Sequence, residues 1–300
     1  MDEVYRGASV TADLISDSKM ARAGANANEI VYPQLSVSGL GDYDRNSGYT
    51  TGAVKFEWKT AKFNYDRGTK ITVDVMDNEE SRNLAFGMAG ATLMREKVAP
   101  EGDAFTFATL ASLENISKTT GTIEGAQQFL DAVLTAWSKM DEDEVPQEER
   151  ILYATPTLLN SVMALDTTKS REVLDLFSVK KKVPQARFYT AIDMLDGKSS
   201  GEEIGHYKKA AEDGKEINFM IVHKPAVIKF DKHVASNIIL AENNADADAD
   251  ISKYRKYGLV DAYANKRAGI YLNYKACLLR HWLVLCFRLQ RACRSSCRFL

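Results

Sequence analysis

Few residues in this sequence are arranged for chemistry. Gly197-Lys198-Ser199 has the ending of a phosphate-binding loop, in which glycine-rich backbone and a lysine cradle nucleotide phosphates. The glycine that motif needs five positions before Gly197 is Ile192, so a polar turn is the better reading. Asp246, Asp248 and Asp250 begin like a calcium loop. The next residue should be a glycine for the sharp turn and is Ile251; the twelfth should be a bidentate glutamate and is Tyr257. They read as a solvated loop with at most a weak surface cation site. His206, His223, His233 and His281 show no pair at zinc-ligand spacing and read as surface or satisfied core histidines. No G-x-S-x-G elbow appears, and no G-x-G-x-x-G follows a strand. No catalytic, cofactor-binding or metal-ligating residue is therefore assigned, no cofactor is called for, and the chain is expected not to be an enzyme.

The bulk composition agrees with a globular chain. Of 300 residues, 45% are hydrophobic and 27% charged, which excludes a wholly disordered or collagen-like protein. No apolar run is long enough for a membrane helix, and the start, MDEVYRGASV, has no basic stretch leading into an apolar one. The net charge of −2 conceals a split. Residues 277–300 hold five arginines and no acid, which leaves 34 basic against 41 acidic side chains in the rest. All four cysteines, Cys277, Cys286, Cys293 and Cys297, also lie there. Residues 1–276 thus use neither disulfides nor thiol ligands, as suits a reducing compartment.

The elements that could position anything are parts for assembly. Residues 1–28 are small and polar and read as an arm, either a frayed terminus or one that reaches a neighbouring subunit. Glu29 to Val37 reads as an edge strand carrying Pro33. Val54, Phe56 and Trp58 alternate with Lys55, Glu57 and Lys59. After an expected turn at Asp66-Arg67-Gly68, Ile71, Val73 and Val75 alternate with polar residues. Period two predicts a half-buried antiparallel ribbon, with the glycine-rich stretch GLGDYDRNSGYTTG at its tip. Such a ribbon is marginal alone and needs a partner surface in its own chain or another.

A helix follows, with Asp77 as expected N-cap and Glu80 completing a capping box. Leu84, Met88, Ala91 and Val98 lie at near-helical spacing, and Pro100 breaks or kinks the run before a second stretch, Ala104 to Leu113. A further helix carries Ile123, Ala126, Leu130, Val133, Leu134 and Trp137, with Thr122 as expected cap. It ends in the acidic run Asp141 to Glu144, read as a solvated loop. Arg150 to Pro156 reads as a short buried strand and Thr157 as the start of another helix. Residues 186–195, 217–222 and 226–230 read as core strands. Helices and strands mix irregularly, so the fold class is α+β.

The order of these parts resembles a known family. The segments are GTKITVDVMDNEES (Gly68 to Ser81), REKVAPEGDAFTFATLA (Arg95 to Ala111), ILYATPTLL (Ile151 to Leu159), YTAIDMLDG (Tyr189 to Gly197), INFMIVHKPAVIKFDK (Ile217 to Lys232) and YRKYGLVDAYANKRAGIYLNYKA (Tyr254 to Ala276). Together they resemble a major capsid protein of tailed bacteriophages over residues 1–276. The resemblance implies the Hong Kong phage capsid fold: an N-arm (1–28), an extended β-hairpin loop (29–75) that lies across the neighbouring subunit, a peripheral domain with a long spine helix (76–115 and 231–257), and an axial domain (116–230 and 258–276). It implies self-assembly into pentamers and hexamers of an icosahedral head, with a scaffolding protein, a portal and non-specifically packaged double-stranded DNA as partners, and no membrane. The location implied is the virion, after assembly in the host cytoplasm.

Some relatives crosslink a lysine of the extended loop to a neighbour's asparagine. Lys55, Lys59 and Lys62 lie in that segment but serve equally as edge protection, so no crosslink is assigned. The start at the arm implies a separate scaffold or prior removal of a scaffolding segment. Residues 277–300 depart abruptly in composition. Out-of-frame translation is the leading reading, ahead of a basic amphipathic helix (Leu279, Leu283, Cys286 and Leu289 on one face) and a zinc knuckle. Three alternatives to a phage head stay open: an encapsulin-like cargo shell, a cytosolic α+β enzyme with an unrecognised site, and a surface-binding tail or adhesion module.

Overall fold

The computed structural model describes residues 9–16, 22–23, 28–46, 48–80, 84–165, 168–200, 202 and 205–276, with backbone alone at 22–23, 84–87 and 168–171. Most of the predicted arm, and the 277–300 tail with its four cysteines and His281, lie outside the described residues. The chain divides into two compact units, one of residues 1–99 and 227–264, the other of residues 100–226 and 265–300.

The first unit carries two sheets. In one, β1 (Arg22–Ala23) pairs with β2 (Glu29–Val37), which pairs antiparallel along its whole length with β3 (Val54–Lys62), from Glu29 opposite Lys62 to Val37 opposite Val54. This is the predicted ribbon. The other sheet has the order β11 (Val227–Ile239), β12 (Ala249–Ala262), β4 (Tyr65–Asp74), all antiparallel. The turn expected at Asp66-Arg67-Gly68 is not there: these residues lie in β4, paired with Tyr257, Lys256 and Arg255. The chain reverses instead at Phe63-Asn64, and β3 and β4 join different sheets. The composition Asp-Arg-Gly favours a turn locally, but β12 supplies a ladder that overrides it. Gly68 is used for close approach, since a Cβ there would sit 2.9 Å from the Tyr254 carbonyl oxygen.

Helix α1 (Val75–Glu80) starts earlier than expected, taking Val75 out of the strand. Asp74, not Asp77, does the capping: its Oδ1 accepts from the Met76 N–H at 2.9 Å. Helix α2 (Leu84–Leu93) runs into a π-helical turn at Met94–Val98 and then α3 (Ala99–Ser112). Pro100 has no N–H for the regular ladder, and the chain absorbs this as a wider turn before it rather than a break. Residues 9–16 lie against β11. Leu14 is buried, Ser16 N donates to Lys229 O at 2.9 Å, and Lys229 Nζ donates to Thr11 O and Oγ1 at 3.1 and 2.7 Å.

The second unit is built on a five-stranded sheet of order β5 (Ser117–Thr120), β13 (Ile270–Tyr274), β10 (Ile217–His223), β6 (Arg150–Ala154), β7 (Val179–Lys182). Only the outer pairs are parallel. Strands β6 and β10 are buried throughout, which explains why apolar residues dominate both. Helix α4 (Ala126–Glu142) lays Phe129, Leu130, Val133, Trp137 and Met140 into the core. Its cap is Gly125, not Thr122. Helices α5 (Pro156–Ala164) and α6 (Thr168–Asp175) complete the layer, Pro156 standing at N1, where its missing N–H costs nothing. The expected strand over 186–195 is mostly absent: Gln185–Arg187 forms a 3₁₀ turn, and only β8 (Ile192–Met194) pairs, with β9 (Tyr207–Lys209).

Two arginines are structural. Arg187 Nη1 donates to Asp103 Oδ2 at 3.0 Å with both side chains buried. Arg150 lies over the Trp137 ring at 4.3 Å and donates to the Pro146 and Val145 carbonyls and, at 2.7 Å, to Asp141. The acidic run expected to be merely solvated thus supplies one anchor for a buried cation.

Candidate assembly surface

The ribbon's two faces follow from its register. Residues directly opposite share a face and alternate along each strand. One face holds the pairs Ile30–Ala61, Tyr32–Lys59, Gln34–Glu57 and Ser36–Lys55; the other holds Pro33–Trp58, Leu35–Phe56 and Val37–Val54.

On the first face the apolar residues are at the base. Ile30, Tyr32 and Ala61 are buried with Ile228 and Leu259, and the Tyr32 ring meets Tyr263 edge-on at 5.0 Å. Further out this face is charged. Glu57 accepts from Lys55 at 2.5 Å and Lys59 at 3.1 Å. The Lys55 hydrogen bond leads in holding the Glu57 carboxyl below its ordinary range, and Glu57 in turn holds the Lys55 ammonium above its own. Both groups stay charged, and the distal part of this face stays wet.

The second face is apolar where the first is charged. Leu35, Val37, Val54, Phe56 and Trp58 are 45–67% exposed, and Phe56 and Trp58 stack edge-to-face at 5.4 Å. The alternation read as half-buried is therefore real in period, but this side is bare within its own unit. The tip adds exposed Leu40, Tyr43 and Tyr49, the two tyrosine rings 4.9 Å apart. It is organised around a turn in which Asp44 and Gly48 exchange backbone hydrogen bonds and Gly48 takes a positive φ of 79°.

The base of the ribbon is fastened by residues the sequence reading passed over. Asn64 Nδ2 donates to Val260 O at 2.8 Å, and Val260 N donates to Asn64 Oδ1 at 3.0 Å. Phe63 stacks on Tyr257 at 4.7 Å, with Lys232 Nζ over both rings. Asn64 carries no signal in one sequence, because a surface asparagine in a turn is ordinary.

The residues singled out for chemistry are not brought together. Lys198 and Ser199 donate their backbone N–H groups to Asp196 Oδ1, closing a polar turn and holding the Asp196 carboxyl below its usual range. Asp250 is spent on Asn78 and the Ala241 N–H, and Asp246 N donates to Asn244. His223 is nearly buried in β10; His206 lies beside the Tyr207 ring, and His233 is exposed on β11. Lys55 and Lys59 sit on the charged ribbon face in ion pairs, while Lys62 is exposed at the base of the other. Among the described residues, no group of three or more His, Cys, Asp or Glu side chains is placed to hold a metal ion. A cavity of about 420 Å³ in the second unit is lined by residues that include Pro156, Leu158, Asn218 and Lys275, and the last two are engaged. Asn218 donates to Gly121 and Asn273, and Lys275 to Glu216 at 2.6 Å.

An α+β chain with this ribbon and this pair of sheets has the fold found in phage capsids. A chain of the bacteriophage PhiM1 mature capsid matches with a TM-score of 0.63 at 12% identity, over 93% of this chain and 90% of that one. A chain from the capsid of cyanophage P-SCSP1u matches at 0.61 and 12% identity, over 92% and 90%. A chain of Mycobacterium phage Che8 matches at 0.57 and 15% identity, over 91% and 93%. At the level of sequence, no protein-family model and no curated protein matches the chain. The expected α+β phage capsid fold is therefore the fold of this protein.

Proposed function

We propose that this chain is the major structural subunit of a tailed-phage head, assembling as pentamers and hexamers into an icosahedral shell around packaged double-stranded DNA. The observation that carries this reading is the ribbon: an apolar face left bare on a two-stranded element that cannot pack it internally. Exposed patches of this kind mark interaction sites. The capsid fold supports another copy as the partner. Each subunit would lay its ribbon on one neighbour and receive a ribbon from another, and closed symmetry would limit growth. Weak contacts suffice, because a subunit already held at several interfaces meets the next at high effective concentration.

In this reading the first unit takes the peripheral role, bearing the arm and the extended loop, and the second takes the axial role around the five-fold and six-fold centres. Scaffold, portal and DNA would be the further partners, and the virion the final location. The role is mechanical, and no reaction is assigned.

The test is electron microscopy of the purified protein, full length and ending at Ala276, with and without a scaffold. Closed shells, or rings of five and six subunits, support the proposal. If both forms remain monomeric at high concentration with scaffold present, it fails.

A further inference from the structure

We propose that Asn64 is a positioning residue for assembly: its side-chain amide sets the direction in which the ribbon leaves the β11–β12–β4 sheet, and so the angle at which one copy reaches the next. The inference rests on the assembly role proposed above.

Only Phe63 and Asn64 separate β3 from β4. The backbone pairing of β4 with β12 ends at Tyr65 opposite Gly258. Two residues further along β12, Val260 is buried and still has an N–H and a C=O to satisfy on that side. Asn64 takes both, at 3.0 and 2.8 Å, with one primary amide. An amide is the side-chain group that offers a donor and an acceptor side by side, as a peptide does. Asn64 thus extends the ladder where no strand remains and, with the Ile30, Tyr32 and Ala61 cluster packed on Ile228 and Leu259, holds the joint in one orientation. Phe63 steadies the same joint through Tyr257, and its N–H donates to Asn28 O at 3.0 Å.

The joint matters because the ribbon is a lever. From Lys62 to Lys55 it spans about 25 Å, so a swing of about 10° at the joint moves Ser36, opposite Lys55, by about 4 Å. A shift of that size moves the apolar face by more than one residue along any surface it meets. A subunit with a loose joint would still carry every contact residue yet would present them at variable angles.

The test uses the full chain with its four tail cysteines replaced by serine and spin labels at Ser36→Cys and Lys253→Cys, both exposed positions. With Asn64 intact, the label–label distance is expected to be a single narrow distribution. Asn64→Asp keeps an acceptor but loses the donor to Val260, and is expected to widen the distribution by about 4 Å or more. Shells formed by that variant should vary in diameter or include open and tubular forms. A distance distribution and particle diameters unchanged from the parent overturn the inference. If Asn64→Asp does not fold, Asn64→Gln keeps donor and acceptor one methylene further out; a displaced mean distance is then expected, and an unchanged mean overturns the inference. Because the distance is read on free subunits, it stands apart from the assembly proposal: labels that respond in a protein whose parent never forms shells would fail that proposal and leave the joint intact.

Discussion

Replacing Phe56 by serine should weaken assembly at only a modest cost to the free subunit. Phe56 is 54% exposed and Trp58 45% exposed on the bare ribbon face. A side chain of this class carries roughly 200 Å², so each leaves about 100 Å² for a partner to cover. At about 25 cal/mol per Å², covering that area contributes about 2.5 kcal/mol per ring. A loss of this size is roughly a sixtyfold change in an equilibrium constant. If each subunit gives one ribbon and receives one, as proposed, the concentration above which shells appear should rise by at least that factor. The free subunit loses the edge-to-face contact with Trp58, about 1 kcal/mol, together with the part of the ring its own chain already covers, so its melting temperature should fall modestly. The assay is light scattering against protein concentration, paired with thermal unfolding of the unassembled protein. An unchanged assembly threshold in Phe56→Ser, with Trp58→Ser behaving the same way, would refute the argument. So would a collapse in the subunit's own thermal stability, because that would place the rings inside its core.

Three further predictions concern the subunit itself. Asp103→Asn removes a buried carboxylate from Arg187 and should cost about 3–5 kcal/mol of stability, read by urea unfolding; a loss below about 1 kcal/mol contradicts the importance of the pairing. Burial leads in holding the His223 imidazole below its ordinary value of 6.5, outweighing the pull of Glu149, with Lys266 and Arg150 adding to the depression. Below that ordinary value the unfolded chain binds a proton the folded one resists, so stability falls as pH drops from about 7 to 5. His223→Gln should flatten this part of the curve, and an identical slope in the variant would exclude His223 as its source. Gly68→Ala should lower the melting temperature, because its Cβ would meet the Tyr254 carbonyl and strain the β4–β12 ladder by about 1–3 kcal/mol; an unchanged melting temperature would show that the ladder gives way freely.

What could be read from the sequence divides by the range of the interaction. The ribbon was legible because its period and its glycine-rich tip are local, and β6 and β10 were legible as short, largely apolar runs. The turn was misplaced because Asp66-Arg67-Gly68 has turn chemistry while the ladder that overrides it comes from residues 255–257. The two caps were each misassigned by three residues for a similar reason: several small polar residues compete near each helix start, and geometry selects among them. The one-sidedness of the ribbon lay in the pattern but needed register. Only when Leu35 is set opposite Phe56, and Val37 opposite Val54, does the apolar face become continuous. Asn64 was not legible, since its partner is 196 residues away.

The change of apolar face along the ribbon reconciles two demands on such a subunit. A two-stranded ribbon is marginal alone, so its base must be tied down, and Ile30, Tyr32 and Ala61 bury one face there. In the proposed shell its distal half would offer apolar area to another copy, and it must stay hydrated beforehand. The Lys55–Glu57–Lys59 set keeps the back of that half hydrated, so the apolar layer is one side chain thick and sided. Pro33 withholds a backbone donor from β2 beyond the short β1 pairing, which discourages edge-to-edge strand addition. On the β2 side, face-to-face contact is what remains available. A face contact, unlike a shared hydrogen-bond ladder, tolerates small changes in crossing angle between neighbours, as the proposed pentamers and hexamers would require. Charging the bare face and charging the wet face should therefore differ: Leu35→Lys should abolish assembly, while Ser36→Lys, one residue along the same strand, should leave it near the parent level. Equal effects of the two substitutions on the assembly threshold would mean that the ribbon joins its neighbour by its edge instead.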